Sequence, residues 1–135
     1  MKRPAVIVCA LLLLAACGGG GDSAADQAKA AYTSFFTTKT SLADHVALLE
    51  NGPKFKTVIA GFIRSPLASS VSATVSKVTL QGAAKAEVVY SVKISGFSLD
   101  DQIGYAVLED GKWKVASATL CGLVSLAGST PPACK

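Results

Sequence analysis

The spacing of apolar residues changes once along this chain of 135 residues, at about Val71. Before that point apolar side chains recur every three or four residues, as they do on one face of a helix. After it they alternate with polar side chains, which is typical of strands with one buried face. Neither half can bury its apolar face alone, so the helices must pack onto the sheet. The sequence therefore predicts an α+β domain whose helices precede its strands.

Start and stop signals divide the first half into three short helices. Ser23 with Asp26, and Ser41 with Asp44, have the spacing of a capping box. Pro53 suits the first turn of a third helix. The predicted inward faces are Ala28, Tyr32, Phe35 and Phe36 in the first helix, Leu42, Val46 and Leu49 in the second, and Phe55, Val58, Ile59 and Phe62 in the third.

Four antiparallel strands are predicted in the second half. The clearest strand has the inward residues Ala86, Val88, Tyr90, Val92 and Ile94. In the strand before it the apolar residues change parity between Val75 and Val78, and a bulge near Ser76 and Lys77 explains that change. The last strand is expected to continue to about Leu123.

The hairpin around Asp110 and Gly111 allows two registers. A two-residue loop pairs Glu109 with Lys112, whereas a three-residue loop with a bulge pairs Leu108 with Lys112. The second register places Ile103, Tyr105 and Val107 on the same face as Trp113 and Val115. We prefer it because a one-residue slip moves every side chain to the opposite face.

The N-terminus predicts export and anchoring. Residues 1–16 combine a positive start with an apolar run too short to span a bilayer, as in a signal peptide. Leu14, Ala15 and Ala16 before Cys17 resemble the lipobox of bacterial lipoproteins, which implies lipidation of Cys17 and cleavage before it. Residues 17–22 then form a lipidated, glycine-rich tether, and residues 23–135 form one domain. An uncleaved anchor helix is the alternative.

Cys121 and Cys134 enclose a short C-terminal loop in a chain predicted to leave the cytoplasm. Disulfides persist outside the cytoplasm, so we expect a bridge that ties the tail to the last strand. Two free thiols are the alternative.

Composition and motifs exclude several functional classes. The net charge of +4 is weak and scattered, which argues against a nucleic-acid partner. One histidine and no C-x-x-C pair provide no zinc site on the usual spacings, and no cofactor motif is present. His45 is expected at a solvated or rim position rather than as a catalytic base. No nucleophile–base pairing appears, so no catalytic residue is predicted.

Several segments together resemble a known family. They are the stretch from Ser41 to Gly52, Ala73-Thr74-Val75, Tyr90-Ser91-Val92, and the hairpin from Glu109 to Val115. Over roughly residues 26 to 125 the chain resembles the low-molecular-weight secreted antigens of mycobacteria and related actinobacteria. That resemblance implies a nuclear transport factor 2-like (cystatin-like) cone of helices on a curved four-stranded antiparallel sheet. It also implies export to the cell envelope and provides no catalytic motif.

The functional expectation is a non-enzymatic lipoprotein on the extracytoplasmic face of the cell membrane. Its partners would be the membrane, through Cys17, and an apolar ligand or an envelope protein. A structural or interaction module is the alternative, followed by an enzyme similar to the ketosteroid isomerases or polyketide cyclases. The residues expected to line a cavity, unless they serve only as core, are Tyr32, Phe35, Phe62, Tyr90, Tyr105 and Trp113.

Overall fold

A computed structural model describes residues 23–37 and 39–135. These residues form helices packed on a four-stranded antiparallel sheet, so the predicted α+β class is confirmed. The predicted signal peptide, Leu14, Ala15, Ala16, Cys17 and the tether lie outside the described residues. None of the helices in the described part of the chain is long and apolar enough to cross a membrane.

The N-terminal helices begin where their capping residues predict. Helix α1 (Ala24–Phe35) follows Ser23, whose Oγ accepts a hydrogen bond from the Asp26 amide at 3.2 Å. Helix α2 (Leu42–Ala47) follows Ser41, whose Oγ accepts from the Asp44 amide at 3.1 Å. Each cap satisfies one of the amides that a helix start leaves without an internal partner.

The third helix starts through a short 3-10 turn that contains Pro53. The turn (Gly52–Phe55) leads directly into helix α3 (Lys56–Ile63), which ends before Ser65 and Pro66. Phe55 and Ile59 are buried as predicted. Phe62 was expected on the same buried face, but 43% of its surface is exposed, so that prediction was wrong. Phe62 lies in the last turn of α3, where the neighbouring Ile63 packs against the core instead.

The sheet has the strands in sequence order, β1 (Ser72–Leu80), β2 (Lys85–Ile94), β3 (Phe97–Glu109) and β4 (Lys112–Val115). The predicted bulge is present, because the pairing of β1 with β2 shifts between Val75 and Lys77. Val88, Tyr90 and Val92 are buried and alternate with partly exposed or exposed residues, as the period of two predicts. A short 3-10 turn (Ala68–Ser70) connects the helices to β1.

The predicted register of the β3–β4 hairpin was wrong. Glu109 pairs with Lys112 and Leu108 with Trp113, so the loop consists of Asp110 and Gly111 alone. Both loop residues have positive φ angles, 53° and 75°, as a type I′ turn requires.

The error came from choosing the face with more large apolar residues. In the observed register Gly104 and Ala106 face the helices, while Ile103, Tyr105 and Val107 lie on the outer face of the sheet. Small residues are needed on the inner face because the Tyr32 side chain of α1 lies directly against Gly104.

The C-terminal segment is a helix rather than the predicted continuation of the last strand to Leu123. Strand β4 ends at Val115, and helix α4 covers Ser117–Leu126. The Glu50 carboxylate accepts hydrogen bonds from the amide and hydroxyl of Ser117, at 3.1 and 2.9 Å. A carboxylate at this position caps the helix and interacts favourably with its positive end.

The disulfide joins Cys121 in α4 to Cys134 in a terminal 3-10 turn (Pro132–Cys134). The bridge therefore ties the tail to a helix and not to the last strand. Closing a loop with a sequence separation of 13 contributes about 3 kcal/mol in the chain-entropy model.

The core lies between α1 and the inner face of the sheet. Tyr32, Leu49, Val88 and Val115 are almost completely buried there. Each large apolar side chain buried in this way contributes about 1.5–3 kcal/mol.

The close packing around Gly104 can be tested by substitution. A Cβ at this position would lie 2.8 Å from Thr119 Cγ2 and 2.9 Å from Tyr90 Cε1, and it would also meet the Tyr32 hydroxyl. Gly104→Ala should therefore lower the free energy of unfolding by about 1–3 kcal/mol, as measured by denaturant titration. Gly61→Ala is the matched control, since Gly61 lies in α3 with nothing within 4 Å of a Cβ. Gly61→Ala should raise the free energy of unfolding by up to about 1 kcal/mol. Equal effects of the two substitutions would contradict the close packing at Gly104.

Candidate functional site

The two buried tyrosines lie at the centre of the domain. The rings of Tyr32 and Tyr90 have centroids 5.0 Å apart, and Phe36 stacks on Tyr90 at 5.8 Å. Phe35 meets Phe36 edge to face at 5.1 Å and His45 at 5.7 Å. This aromatic row runs from the middle of the sheet towards the end of α1 and fills the interior between them.

The Tyr32 hydroxyl connects three elements. It donates to the Tyr105 carbonyl of β3 at 2.8 Å, and its oxygen lies 3.2 Å from Thr119 Oγ1 of α4. Thr119 Oγ1 accepts from the Tyr105 amide at 2.9 Å. Since a tyrosine has one hydroxyl proton, the Thr119 hydroxyl can supply the third bond, and the three groups then form a closed ring.

This network suits a structural role better than acid–base chemistry. Burial raises the pKa of the Tyr32 phenol above its ordinary value, although its hydrogen bonds to Thr119 and Tyr105 oppose part of the shift. Burial also raises the pKa of Tyr90, to about 12. Both phenols therefore stay protonated at neutral pH, and Tyr32 acts as a fixed donor rather than as a base.

The carboxylates of the described residues lie away from this interior, and none of them is buried. Glu50 caps α4, and Glu109 forms an ion pair with Lys114 at 2.9 Å. The hydrogen bond from Lys114 lowers the pKa of Glu109. A catalytic carboxylate needs an enclosed environment that shifts its pKa towards neutrality, and these positions do not provide one.

An apolar groove opens where the aromatic row reaches the surface. It has a volume of about 230 Å³ and lies between the end of α1, α2, the end of α3 and the 3-10 turn before β1. We define the apolar groove by its main lining residues, Phe35, Phe36, His45, Phe62, Ile63 and Val71. Thr37, Ser65 and Ser69 also line it and, with His45, are its polar residues. Apolar walls with a few polar groups are typical of small-molecule sites.

His45 forms part of the groove and is not solvated. Only 5% of its surface is exposed, so the prediction of a solvated or rim position was wrong. Its Nδ1 lies 2.8 Å from the Ser41 carbonyl, one helical turn earlier. That bond requires a proton on Nδ1, which leaves Nε2 of the neutral ring as an acceptor. The sequence places His45 one position from the apolar stripe of α2, and the edge of Phe35 covers it there.

The residues predicted to line a cavity are found in four places. Phe35 and Phe62 line the apolar groove, while Tyr32 and Tyr90 lie in the packed core. Tyr105 is half-buried on the outer face of the sheet, where Lys85 Nζ lies 4.5 Å above its ring.

Trp113 is buried and borders a second depression of about 240 Å³, together with Gln27 and Lys112. This depression is more open than the apolar groove, so we take the groove as the candidate site. Phe36, Ile63 and Val71 of the groove were not predicted as site residues. Their positions depend on how three helix ends meet, which local sequence spacing does not report.

Among the described residues, no group of three or more histidine, cysteine, aspartate or glutamate side chains is placed to bind a metal. The groove itself contains one histidine and no carboxylate. Its chemistry is therefore that of an apolar site with hydroxyl and imidazole groups at its walls.

A protein-family model matches most of this chain. The family described as "Low molecular weight antigen MTB12, C-terminal domain" matches residues 22–131, which include the whole sheet, the four helices and the groove. Neither the curated proteins nor the solved structures contain a significant match.

Alkaline pH tests the role of the buried phenols. In the unfolded chain tyrosine ionises near its ordinary pKa of 10.0, whereas in the folded protein Tyr90 has a pKa of about 12. Stability should therefore be fully present below pH 10 and decrease as the pH rises towards 12. Denaturant titrations at about pH 8 and about pH 11 measure this loss. Tyr90→Phe should show a smaller loss than the wild type, and an equal loss in both proteins would contradict the assignment.

Proposed function

This chain belongs to the low molecular weight antigen MTB12 family, and on that premise we propose that it is an exported lipoprotein that binds an apolar small molecule. The lipid on Cys17 would anchor it to the extracytoplasmic face of the cell membrane. The observation that carries the binding proposal is the apolar groove, whose walls combine three phenylalanines with apolar aliphatic side chains.

The lipobox supports the anchoring part of the proposal. Leu14, Ala15 and Ala16 occupy the three positions before Cys17, and a positive start and an apolar run precede them. One acyl chain holds a protein only marginally at a membrane, whereas two or three chains hold it stably. The glycines at 18–21 would then separate the domain from the membrane surface.

The size of the groove limits what it can bind. Its volume of about 230 Å³ is below the range of roughly 300–1,000 Å³ that is usual for drug-sized ligands. A short aliphatic or aromatic molecule fits this volume, as does one segment of a longer lipid. His45 and the hydroxyls of Ser65 and Ser69 would interact with a polar end of such a ligand.

We propose binding rather than catalysis because the chemistry required for an isomerase-like or cyclase-like reaction is not grouped at the groove. The nearest analogue of such a site would be the two buried tyrosines. Tyr32 is committed to Tyr105 and Thr119, and the described carboxylates are at the surface or at a helix cap. We expect the chain to turn over isomerase and cyclase substrates no faster than the Tyr32→Phe variant does.

The anchor has its own test. Cys17→Ala should abolish incorporation of labelled fatty acid and leave the uncleaved precursor, because the thiol accepts the lipid before cleavage. The cells are labelled with fatty acid and the protein is examined by gel electrophoresis and mass spectrometry. Cys9→Ala is the matched control, since Cys9 lies in the segment predicted to be removed. Normal processing of the Cys17→Ala variant would refute the lipoprotein assignment.

Ligand binding is tested by closing the groove. Ser69 lines the groove and is exposed, so Ser69→Trp should fill part of the space with little strain. Binding of a short-chain fluorescent fatty acid should weaken about tenfold or more, which corresponds to about 1.4 kcal/mol. Fluorescence titration measures the dissociation constant. Leu126→Trp is the control, because Leu126 is exposed and outside the groove; equal affinity in both variants would exclude the groove as the site.

A further inference from the structure

The outer face of the sheet carries an apolar strip along β3, in which Ile103 is exposed and Tyr105 and Val107 are half-buried. Ile103, Tyr105 and Val107 project there, on the side opposite the buried Gly104 and Ala106. Ile103 is 63% exposed, although it lies in the middle of the longest strand. Val89 pairs with Ile103 and widens the strip on β2. The helices pack on the other face, so this strip is a second surface, separate from the apolar groove.

Lysines flank this strip on both sides. Lys77 of β1 and Lys85 of β2 lie on one side in the sheet. Lys112 of β4 pairs with Glu109 on the other side and also borders the depression beside α1. All three are exposed. We call these three lysines together with Ile103, Tyr105 and Val107 the outer patch.

The outer patch carries a net positive charge. Glu109 and Lys114 lie on the same face but neutralise each other through their ion pair at 2.9 Å. Glu87, between Lys85 and Val89 on β2, is the remaining carboxylate in these cross-strand rows. Within these rows three lysines therefore face a single carboxylate around an apolar centre, and Asp101, two residues before Ile103 in β3, is a further acidic residue outside the rows.

We propose that the outer patch docks the domain onto an anionic lipid surface. The apolar side chains of β3 would enter the headgroup region, while the lysines reach the lipid phosphates. The Lys85 ammonium lies over the Tyr105 ring, which keeps the apolar stem of Lys85 beside the strip. A second copy of the chain is a poorer partner, because two such patches would place like charges against each other.

The outer patch is separate from the groove and complements the proposed anchor. A lipidated Cys17 would hold the domain near the bilayer, and the outer patch would then fix its orientation. The groove lies at the end of α1, on the helical side of the sheet. Docking through the outer patch would leave the groove open to the space away from the membrane.

Fluorescence quenching tests the orientation in the full chain. Ile103→Trp, reconstituted in vesicles that contain phosphatidylglycerol and lipids with brominated acyl chains, should be quenched strongly. Lys29→Trp is the matched control on the exposed side of α1 and should be quenched weakly. The buried Trp113 is common to both variants and provides the wild-type baseline. Equal quenching at the two positions would overturn the proposal.

Charge removal provides the second measurement. Each of Lys77→Gln, Lys85→Gln and Lys112→Gln should lower the ratio of docked to undocked domain about fivefold. Added salt should also lower this ratio. The matched controls Lys29→Gln, Lys54→Gln and Lys56→Gln should leave the quenching of Ile103→Trp unchanged. A loss that is equal in the two sets would contradict docking through the outer patch.

Flotation with vesicles distinguishes docking through the outer patch from attachment through the proposed lipid anchor. Flotation with vesicles of neutral phosphatidylcholine reports the lipid anchor alone, because these vesicles do not attract lysines. A chain that does not float with them contradicts the anchor, while selective quenching at position 103 in anionic vesicles would still support the outer patch. Strong quenching at position 103 in neutral vesicles at all salt concentrations would contradict the electrostatic part of the proposal.

Discussion

The contact between Tyr32 and the Tyr105–Thr119 pair determines how the whole domain is arranged. One phenol joins α1 to β3 and α4, at distances of 2.8 and 3.2 Å. Gly104 must lack a side chain for the phenol to approach, and β3 must present its small residues inward. The register of the β3–β4 hairpin and the position of α4 follow from this contact. A buried polar network of this kind stabilises one arrangement because a partly satisfied alternative is costly.

Local signals in the sequence predicted most of the elements. The caps at Ser23 and Ser41, the bulge before Lys77 and the alternation in β2 all depend on residues close in the chain. The hairpin register and α4 could not be predicted in this way. They depend on Tyr32 and Glu50, which are 73 and 67 residues away from Tyr105 and Ser117. Counting large apolar residues on each face favoured the wrong register because the inner face needed small ones.

The candidate site was predicted less well than the fold for the same reason. Phe35 and Phe62 were named from helical spacing, but the groove also requires Phe36, Ile63 and Val71, which belong to three different segments. Burial of His45 depends on Phe35, ten residues earlier, and on a bond to its own helix start. Side chains that meet only when helix ends converge leave no periodic signal.

The bulge between Val75 and Lys77 also affects how the protein behaves beside copies of itself. Strand β1 is at the edge of the described sheet, where unpaired backbone groups can recruit a strand from another molecule. The bulge interrupts the regular spacing of those groups, and Lys77 adds a charge at the same point. Proteins held on a membrane meet one another at high local concentration. For the membrane-anchored lipoprotein proposed above, an irregular, charged edge would therefore oppose aggregation where copies of the domain are most crowded.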